Sequence, residues 1–139
     1  MTLLTPADRE FLARPLFGFL TVADGPVPPQ PRPVWFEATA EDTIQLFTGP
    51  GTAKVRYLRK DPRASIIVSA PVGELEHWVS VAGRVTIESE GAHALVERLA
   101  ARYWEGNEAA RTESVAFLLA EEQVRIVIHP DKVRRFVNQ

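Results

Sequence analysis

The sequence predicts a mainly β protein: six or seven largely antiparallel strands that close or nearly close into a barrel, with helices between and around them. Residues 77–89 alternate apolar and polar side chains over their whole length, as a half-buried strand does. Most strand candidates follow one another across short turns, which favours antiparallel pairing. Closure into a barrel is expected because it removes exposed sheet edges. The 139 residues, 1–139, are predicted to form a single domain.

The amino-terminal segment predicts a short helix that runs to about Arg14. Thr5 suits the N-cap, Pro6 suits the first helical position, and the carboxylate of Asp8 is favoured in the first turn. A mostly apolar strand is predicted to follow at residues 16–23.

The proline-rich stretch DGPVPPQPRPVW, residues 24–35, predicts a wide turn between strands. Pro33 lies early in the second strand, where proline is tolerated at a start or an edge. Later strands are predicted at residues 33–39, 43–48, 63–70, 77–89 and 123–130, with residues 132–137 as one further candidate.

Three further helices are predicted after the first. One begins at Thr52 and is stopped by Asp61 and Pro62. Apolar residues at helical spacing place another at about residues 90–104, and a last helix is predicted at 113–121.

The composition excludes several classes of function. The formal net charge of −2 argues against general nucleic-acid binding, and the lack of cysteine excludes disulfides and thiol nucleophiles. No apolar run approaches the length of a membrane span, so a cytoplasmic protein that binds no membrane is expected. The three histidines do not cluster and no two carboxylates suggest a glycosidase pair, so neither a metal site nor a catalytic side chain is predicted.

The stretch GPGTAKVRYLRKDP, residues 49–62, carries the strongest functional pattern. Glycine lets the backbone approach a ligand closely, and a helix that begins at Thr52 points unpaired N–H groups at the same spot. Lys54 and Arg56 add full charges nearby. Together these features predict a phosphate cradle, although the spacing is not that of a Walker motif. The alternative is a solvated helix with ordinary capping residues.

Arg32 adds a second cation to this prediction. It opens the strand before the one that ends at Thr48, and two adjacent antiparallel strands would bring both residues to one side of a groove. The alternative is a surface arginine in a proline-rich turn.

Three segments together resemble the flavin-reductase and pyridoxamine-phosphate-oxidase-like split-barrel superfamily: RPVWFE, IQLFTGPGTAKVRYLRKDPRASIIV and HWVSVAGRVTI. The match spans about residues 11–87, and residues 48–68 are its most specific part. The resemblance implies a split barrel, a cofactor-binding domain and a homodimer. It also implies a cofactor at each end of the dimer interface, with residues from both subunits in each site.

The resemblance also implies which residues contact the cofactor. They are Arg32 and Lys54 at the phosphate, Val34 and Trp35 beside the tricyclic ring, Phe47 and Thr48 under the ring and ribityl chain, Thr52 and Ala53 in the turn around the phosphate, and Arg56 as an added charge. Trp78 is expected to reach the cofactor of the partner subunit.

Two departures from the pyridoxamine-phosphate oxidases proper argue against vitamin-B6 oxidation. Glu37 stands where those enzymes carry a lysine, and Ala53 stands where they carry a basic residue. The segment PGTAKVRYLRKDPRASI instead resembles the branch that uses the deazaflavin coenzyme F-420, whose tail is acidic. Four cations could meet that tail or could form a solvated face: Arg56, Arg59, Lys60 and Arg63.

Three functions follow from the resemblance. The first is an F-420-dependent oxidoreductase that transfers a hydride between the reduced cofactor and an electron-poor small organic substrate. The second is an FMN-binding oxidoreductase on the same barrel. The third is a non-catalytic carrier of a flavin, haem or fatty acid. Fold alone does not separate them.

Overall fold

The computed structural model describes residues 3–138 and confirms the mainly β class. Within that range the chain forms seven strands and four helices. The helices are α1 (Pro6–Leu12), α2 (Ala53–Lys60), α3 (Ala92–Tyr103) and α4 (Glu108–Leu119). The strands are β1 (Gly18–Val22), β2 (Arg32–Val34), β3 (Glu37–Ala38), β4 (Ile44–Thr48), β5 (Arg63–Ser69), β6 (His77–Glu88) and β7 (Val124–Val137).

The strands form one antiparallel sheet in the order β2-β1-β5-β6-β7-β4-β3. Its two edge strands, β2 and β3, are consecutive in the chain and are separated only by Trp35 and Phe36. Three residue steps cover at most about 11 Å, so the sheet must curl until its edges come close together. The result is the predicted split barrel, with an inner core that includes Leu20, Phe36, Ile44, Leu58, Ile66, Val81 and Ile126.

The prediction of a single strand at residues 33–39 is wrong, because the strand is interrupted where the barrel splits. Phe36 is fully buried, and its backbone N–H donates to the hydroxyl of Tyr103 at 3.2 Å rather than to a neighbouring strand. As a consequence β2 pairs with β1, while β3 pairs with β4. The predicted pairing between the strand of Arg32 and the strand of Thr48 is therefore wrong.

The alternation predicted for residues 77–89 is confirmed in β6. Val79, Val81 and Val85 are buried, whereas Arg84 and Thr86 are exposed. The two strand candidates at 123–130 and 132–137 are instead one long strand, β7, which pairs with β6 from Arg125 to Val137. A register shift between Ala82 and Gly83 marks a bulge in this pair, and the first part of β7, up to Ile128, also pairs with β4.

The first helix has the predicted amino-terminal cap. The backbone N–H of Asp8 donates to the Thr5 hydroxyl at 3.0 Å, and the N–H of Thr5 donates to the Asp8 carboxylate at 2.9 Å. The same carboxylate also accepts hydrogen bonds from two nitrogens of Arg135, and this ion pair connects α1 to the end of β7. This long-range ion pair had no signal in the sequence.

The two carboxyl-terminal helices differ in how well they were predicted. Helix α3 buries the expected apolar stripe, whereas α4 begins five residues before the predicted start because Asn107 caps it. The Asn107 side chain accepts the backbone N–H of Ala110 at 3.1 Å. No residue of α4 is buried, and this helix packs on α3. None of the helices in residues 3–138 has the length and apolar character needed to cross a bilayer.

Candidate functional site

Two neighbouring cavities meet at Lys54. The first, here called the aromatic cavity, has a volume of about 330 Å³ and is lined by Phe17, Pro33, Val34, Trp35, Phe47, Lys54 and Leu118. The second, here called the cationic cavity, has a volume of about 170 Å³ and is lined by Leu20, Val22, Pro26, Gln30, Arg32, Ala53, Lys54 and Tyr57.

The turn before α2 places Lys54 between the cavities. The Thr52 hydroxyl donates to the carbonyl of Gly49 at 3.0 Å and lies 3.3 Å from the Thr48 hydroxyl, so it does not cap the helix. Arg56 folds back and donates to the carbonyl of Gly51 at 3.0 Å. These contacts hold the turn in shape and leave the first N–H groups of α2 without a side-chain cap. Such groups favour an anion.

Lys54 and Arg32 form a pair of cations without a balancing acid. Burial lowers the pKa of the Lys54 amine, and the nearby Arg32 guanidinium lowers that pKa further. Among residues 3–138, no carboxylate forms an ion pair with either side chain. A partly buried ammonium beside a second cation is unfavourable unless a negative group joins them. The cationic cavity is therefore suited to an anion.

Arg32 reaches Lys54 by a route that differs from the predicted one. Strand β2 pairs with β1, where Arg32 lies opposite Leu20, and the proline-rich segment that carries Pro26 and Gln30 closes the cavity. The two cations are brought together by the curl of the sheet and by α2. Direct pairing between β2 and β4 plays no part.

Trp35 forms the main wall of the aromatic cavity. Its indole is stacked on the ring of Tyr103, with centroids 5.0 Å apart and planes 13° apart. Phe47 meets it edge-on at 6.4 Å, and Trp104 meets it edge-on at 6.1 Å. Flat aromatic surfaces around an apolar cavity suit a flat ring system.

Several residues around this cavity were not predicted from the sequence as site residues. Phe17 and Leu118 line it, and Tyr103 supports Trp35 from behind. Tyr103 had a weak signal as the last apolar position of the α3 stripe. No pattern around Phe17 indicates a cavity, because an exposed aromatic residue at a strand start is compatible with many surroundings.

The remaining predicted residues fall into two groups. Thr48, Thr52 and Arg56 belong to the turn beside the cationic cavity, as described above. Lys60 ends α2 and Trp78 lies on β6, and neither lines the aromatic or the cationic cavity. Trp78 faces outward, since it alternates with the buried Val79.

Two charged residues named in the sequence analysis already have partners. Arg63 donates to the Asp61 carboxylate through two nitrogens, at 2.6 and 2.8 Å. The Glu37 carboxylate accepts hydrogen bonds from Arg98 and Gln45. Burial raises the pKa of this carboxyl, but these hydrogen bonds bring the pKa below its ordinary value. Glu37 therefore belongs to a structural network and does not line either cavity.

The fold and the two cavities define a class of protein: a split barrel that presents a cation pair next to an aromatic cavity. Residues 4–128 match the family model for pyridoxamine 5'-phosphate oxidase, and the chain belongs to that family. The family contains flavin-binding oxidoreductases. No curated protein sequence matches this chain.

Solved structures show the same fold. A conserved hypothetical protein from Mycobacterium tuberculosis is 22% identical with a TM-score of 0.70, over 96% of this chain and 85% of that one. A protein named F420 reductase is 22% identical with a TM-score of 0.71, over 94% of this chain and 98% of that one. An FAD-binding protein from Mesorhizobium loti is 19% identical with a TM-score of 0.62, over 95% and 92% of the two chains.

Proposed function

We propose that this protein is an oxidoreductase that binds the deazaflavin coenzyme F-420. It would transfer a hydride between the reduced cofactor and an electron-poor small organic substrate. The observation that carries the proposal is the unbalanced cation pair, Lys54 and Arg32, at the junction of the cationic and aromatic cavities. That arrangement suits a ligand in which a phosphate follows a flat ring.

The residues present fit such a cofactor. Lys54, Arg32 and the open N–H groups at the start of α2 would hold the phosphate. Trp35 and Val34 would pack against the ring, with Phe47 at its edge. A bound deazaflavin supplies the hydride from its own central ring, and the protein supplies binding, orientation and electrostatics.

The walls of the aromatic cavity offer this chemistry a mostly apolar surface, although the cavity is open to solvent and Phe17 is 56% exposed. Phe17, Trp35, Phe47 and Leu118 present apolar surface, and Lys54 is the one ionisable side chain among the described residues that line it. A ring bound against this surface would displace water from it, and exclusion of water protects a hydride donor from side reactions. No protein side chain is assigned a catalytic role, because hydride transfer requires neither a nucleophile nor a metal ligand from the chain.

FMN is the second candidate cofactor. Its phosphate is terminal and would fit the same cation pair, so the two cavities alone accommodate either molecule. The feature that favours the deazaflavin lies beyond the cavities. Arg59 and Lys60, at the exposed end of α2, have no acidic partner among residues 3–138 and are available to an acidic tail.

The direct test is a titration of the purified protein with FMN and with coenzyme F-420, side by side, followed by fluorescence. Tight binding of F-420 with weak binding of FMN is the expected result. Preferential binding of FMN would replace the proposal with the flavin alternative, and binding of neither would reject both.

The double change Arg56→Gln, Lys60→Gln is expected to weaken F-420 binding by several-fold at most and to flatten its salt dependence. The two residues lie four apart on one face of α2, and exposed charge pairs contribute little individually and are screened by salt. FMN binding should fall much less because Lys54 and Arg32 remain. Isotherms at low and high salt measure both effects.

A control variant, Arg14→Gln with Arg111→Gln, also removes two positive charges, but at positions outside α2. The exposed ion-pair partners of these arginines are Glu74 and Glu108. This control should leave both affinities unchanged. Equal losses for FMN and F-420 in the Arg56, Lys60 variant would instead assign these residues to the phosphate or the turn.

We also propose that the protein is a homodimer formed through the outer face of the sheet. Phe19, Ile67 and Phe136 remain 41%, 39% and 42% exposed on that face. Phe19 lies opposite Ile67, and Phe136 lies opposite Trp78, so the apolar residues run across neighbouring strands. Exposed apolar residues on neighbouring strands of one sheet face are typical of a surface that a second copy covers. Trp78 would then be supplied to the cofactor site of the partner.

The expected result in analytical ultracentrifugation at micromolar concentration is a dimer, which Ile67→Glu converts to a monomer. The control is Val72→Glu, since Val72 is fully exposed at the β5–β6 turn, outside the paired strands. A parent protein that sediments as a stable monomer would contradict the proposal.

A further inference from the structure

The two residues between β2 and β3 cross the split of the barrel without a strand partner. Phe36 nevertheless has both backbone groups hydrogen bonded. Its N–H donates to the Tyr103 hydroxyl at 3.2 Å, and its carbonyl accepts an N–H of Arg102 at 3.2 Å. Adjacent side chains at the end of α3 therefore replace the missing sheet bonds.

The same two side chains hold the segment between α1 and β1. The Tyr103 hydroxyl donates to the carbonyl of Leu16 at 2.7 Å. Arg102 donates to the carbonyl of Leu12 at 2.9 Å and also to the carbonyl of Arg14. Arg102 and Tyr103, here called the clamp, thus join three parts of the chain that are distant in sequence.

The clamp also supports the wall of the aromatic cavity. The Tyr103 ring is stacked on Trp35, and the Arg102 guanidinium lies over the rings of both Phe36 and Tyr103, at 5.4 and 5.5 Å. Cation–π contacts of this kind hold aromatic rings in place. The plane of the Trp35 indole is therefore tied to hydrogen bonds made on the far side of Tyr103.

The Tyr103 hydroxyl has no proton left to donate to a substrate or cofactor. It donates to one carbonyl and accepts one backbone N–H. Burial raises the pKa of this phenol above its ordinary value, against the opposing influence of the Phe36 hydrogen bond and the Arg102 charge. The hydroxyl stays protonated and committed to the backbone.

We propose that Tyr103 is a positioning residue, whose hydroxyl fixes Trp35 at the angle that the ring of the bound cofactor requires. The inference rests on the proposed function, because it takes the aromatic cavity as the site of that ring. The proposal assigns different roles to the two parts of the site. The clamp affects binding of the ring, whereas Lys54 and Arg32 bind the phosphate.

The test uses Tyr103→Phe, which keeps the ring and removes the hydroxyl. The dissociation constants for F-420 and FMN are expected to rise about three- to ten-fold, the size expected from losing a hydrogen bond that acts through Trp35. The dissociation constant for inorganic phosphate, which has no ring, is expected to stay the same. The absorption and circular dichroism bands of the bound cofactor should also shift.

The control is Val96→Ala, which creates a small void in the buried face of the same helix, two turns before Tyr103. It should lower the melting temperature without changing the ratio of cofactor to phosphate affinity. If Tyr103→Phe lowers the melting temperature but leaves the affinity ratio and the cofactor spectrum as in the parent, the role of Tyr103 is merely structural. That result would overturn the inference.

A second measurement needs no cofactor. Tyr103→Phe should alter the long-wavelength tryptophan bands in the near-ultraviolet circular dichroism of the free protein, where tyrosine and phenylalanine do not contribute. The expected reason is a change in the angle of Trp35, so this alteration should vanish in a Trp35→Phe background. An alteration of those tryptophan bands that persists in that background would overturn the inference even if the parent bound neither cofactor. Failure of the parent to bind F-420 or FMN would by itself reject only the proposed function.

Discussion

Lys54→Ala is expected to weaken binding of F-420 or FMN by about 1.5–3 kcal/mol, or roughly 10- to 150-fold, the usual effect of losing a charge-assisted hydrogen bond. Lys54 lies between the two cavities beside Arg32, and no acid among the described residues balances the pair. The folded state should not lose stability, since burial beside a second cation already disfavours the charged amine. Fluorescence titration measures the affinity, and chemical denaturation measures the stability.

The matched control is Lys54→Arg, tested across pH. An anion favours the charged amine, so the affinity of the parent should fall as pH rises through the pKa of Lys54. That pKa lies below the ordinary 10.5 because of burial and the Arg32 charge. Arginine keeps its charge over the same range, so the affinity of Lys54→Arg should depend on pH much less. If Lys54→Ala binds both cofactors as well as the parent does, the phosphate site lies elsewhere.

Gly83→Ala is expected to destabilise the fold by about 3 kcal/mol or more, the range seen for severe overpacking in a core. A Cβ atom at this position would lie 1.9 Å from the carbonyl oxygen of His129 and 3.0 Å from the Cα of Pro130. These are backbone atoms and cannot rotate away. The clash falls where β6 and β7 change register, so relief would require the longest strand pair of the barrel to separate.

Gly51→Ala provides the control for this prediction. A Cβ atom at Gly51 meets no atom within 4 Å, so its effect on the free energy of unfolding should stay within about 1 kcal/mol. Urea denaturation of the two variants and the parent makes the comparison. An unchanged midpoint for Gly83→Ala would show that the close approach of β6 to the His129 carbonyl is absent in solution.

Local patterns in the sequence were sufficient where an element depends on its own residues. The alternation in residues 77–89 predicts β6 because one face of that strand is buried along its length. Thr5 and Asp8 predict the start of α1 because both capping bonds form within four residues. The glycine turn and α2 were predicted because the glycines and the stop at Asp61 and Pro62 lie directly beside the helix, although Thr52 does not cap it.

Local patterns failed where a distant residue decides the outcome. Residues 33–39 have the composition of one strand, but Phe36 bonds to Tyr103, which lies 67 positions later. The start of α4 was missed because one Asn107 cap outweighs weak amphipathic periodicity. In the candidate site, Arg32 and Lys54 could be proposed from charge and spacing. Phe17, Tyr103 and Leu118 could not, because only the tertiary structure brings them to Trp35.

The sequence by itself determined the class of the fold, most of its elements and the cation-rich turn, because hydrophobic period, capping and turn chemistry act over a few residues. Only the tertiary structure decided which strands pair, where the barrel splits and which aromatic side chains surround the cavity beside Lys54. Because the sheet curls, its two edge strands, β2 and β3, come close enough to be joined by only two residues. Such closure depends on contacts between residues far apart in the chain, and no pattern within a short window records them.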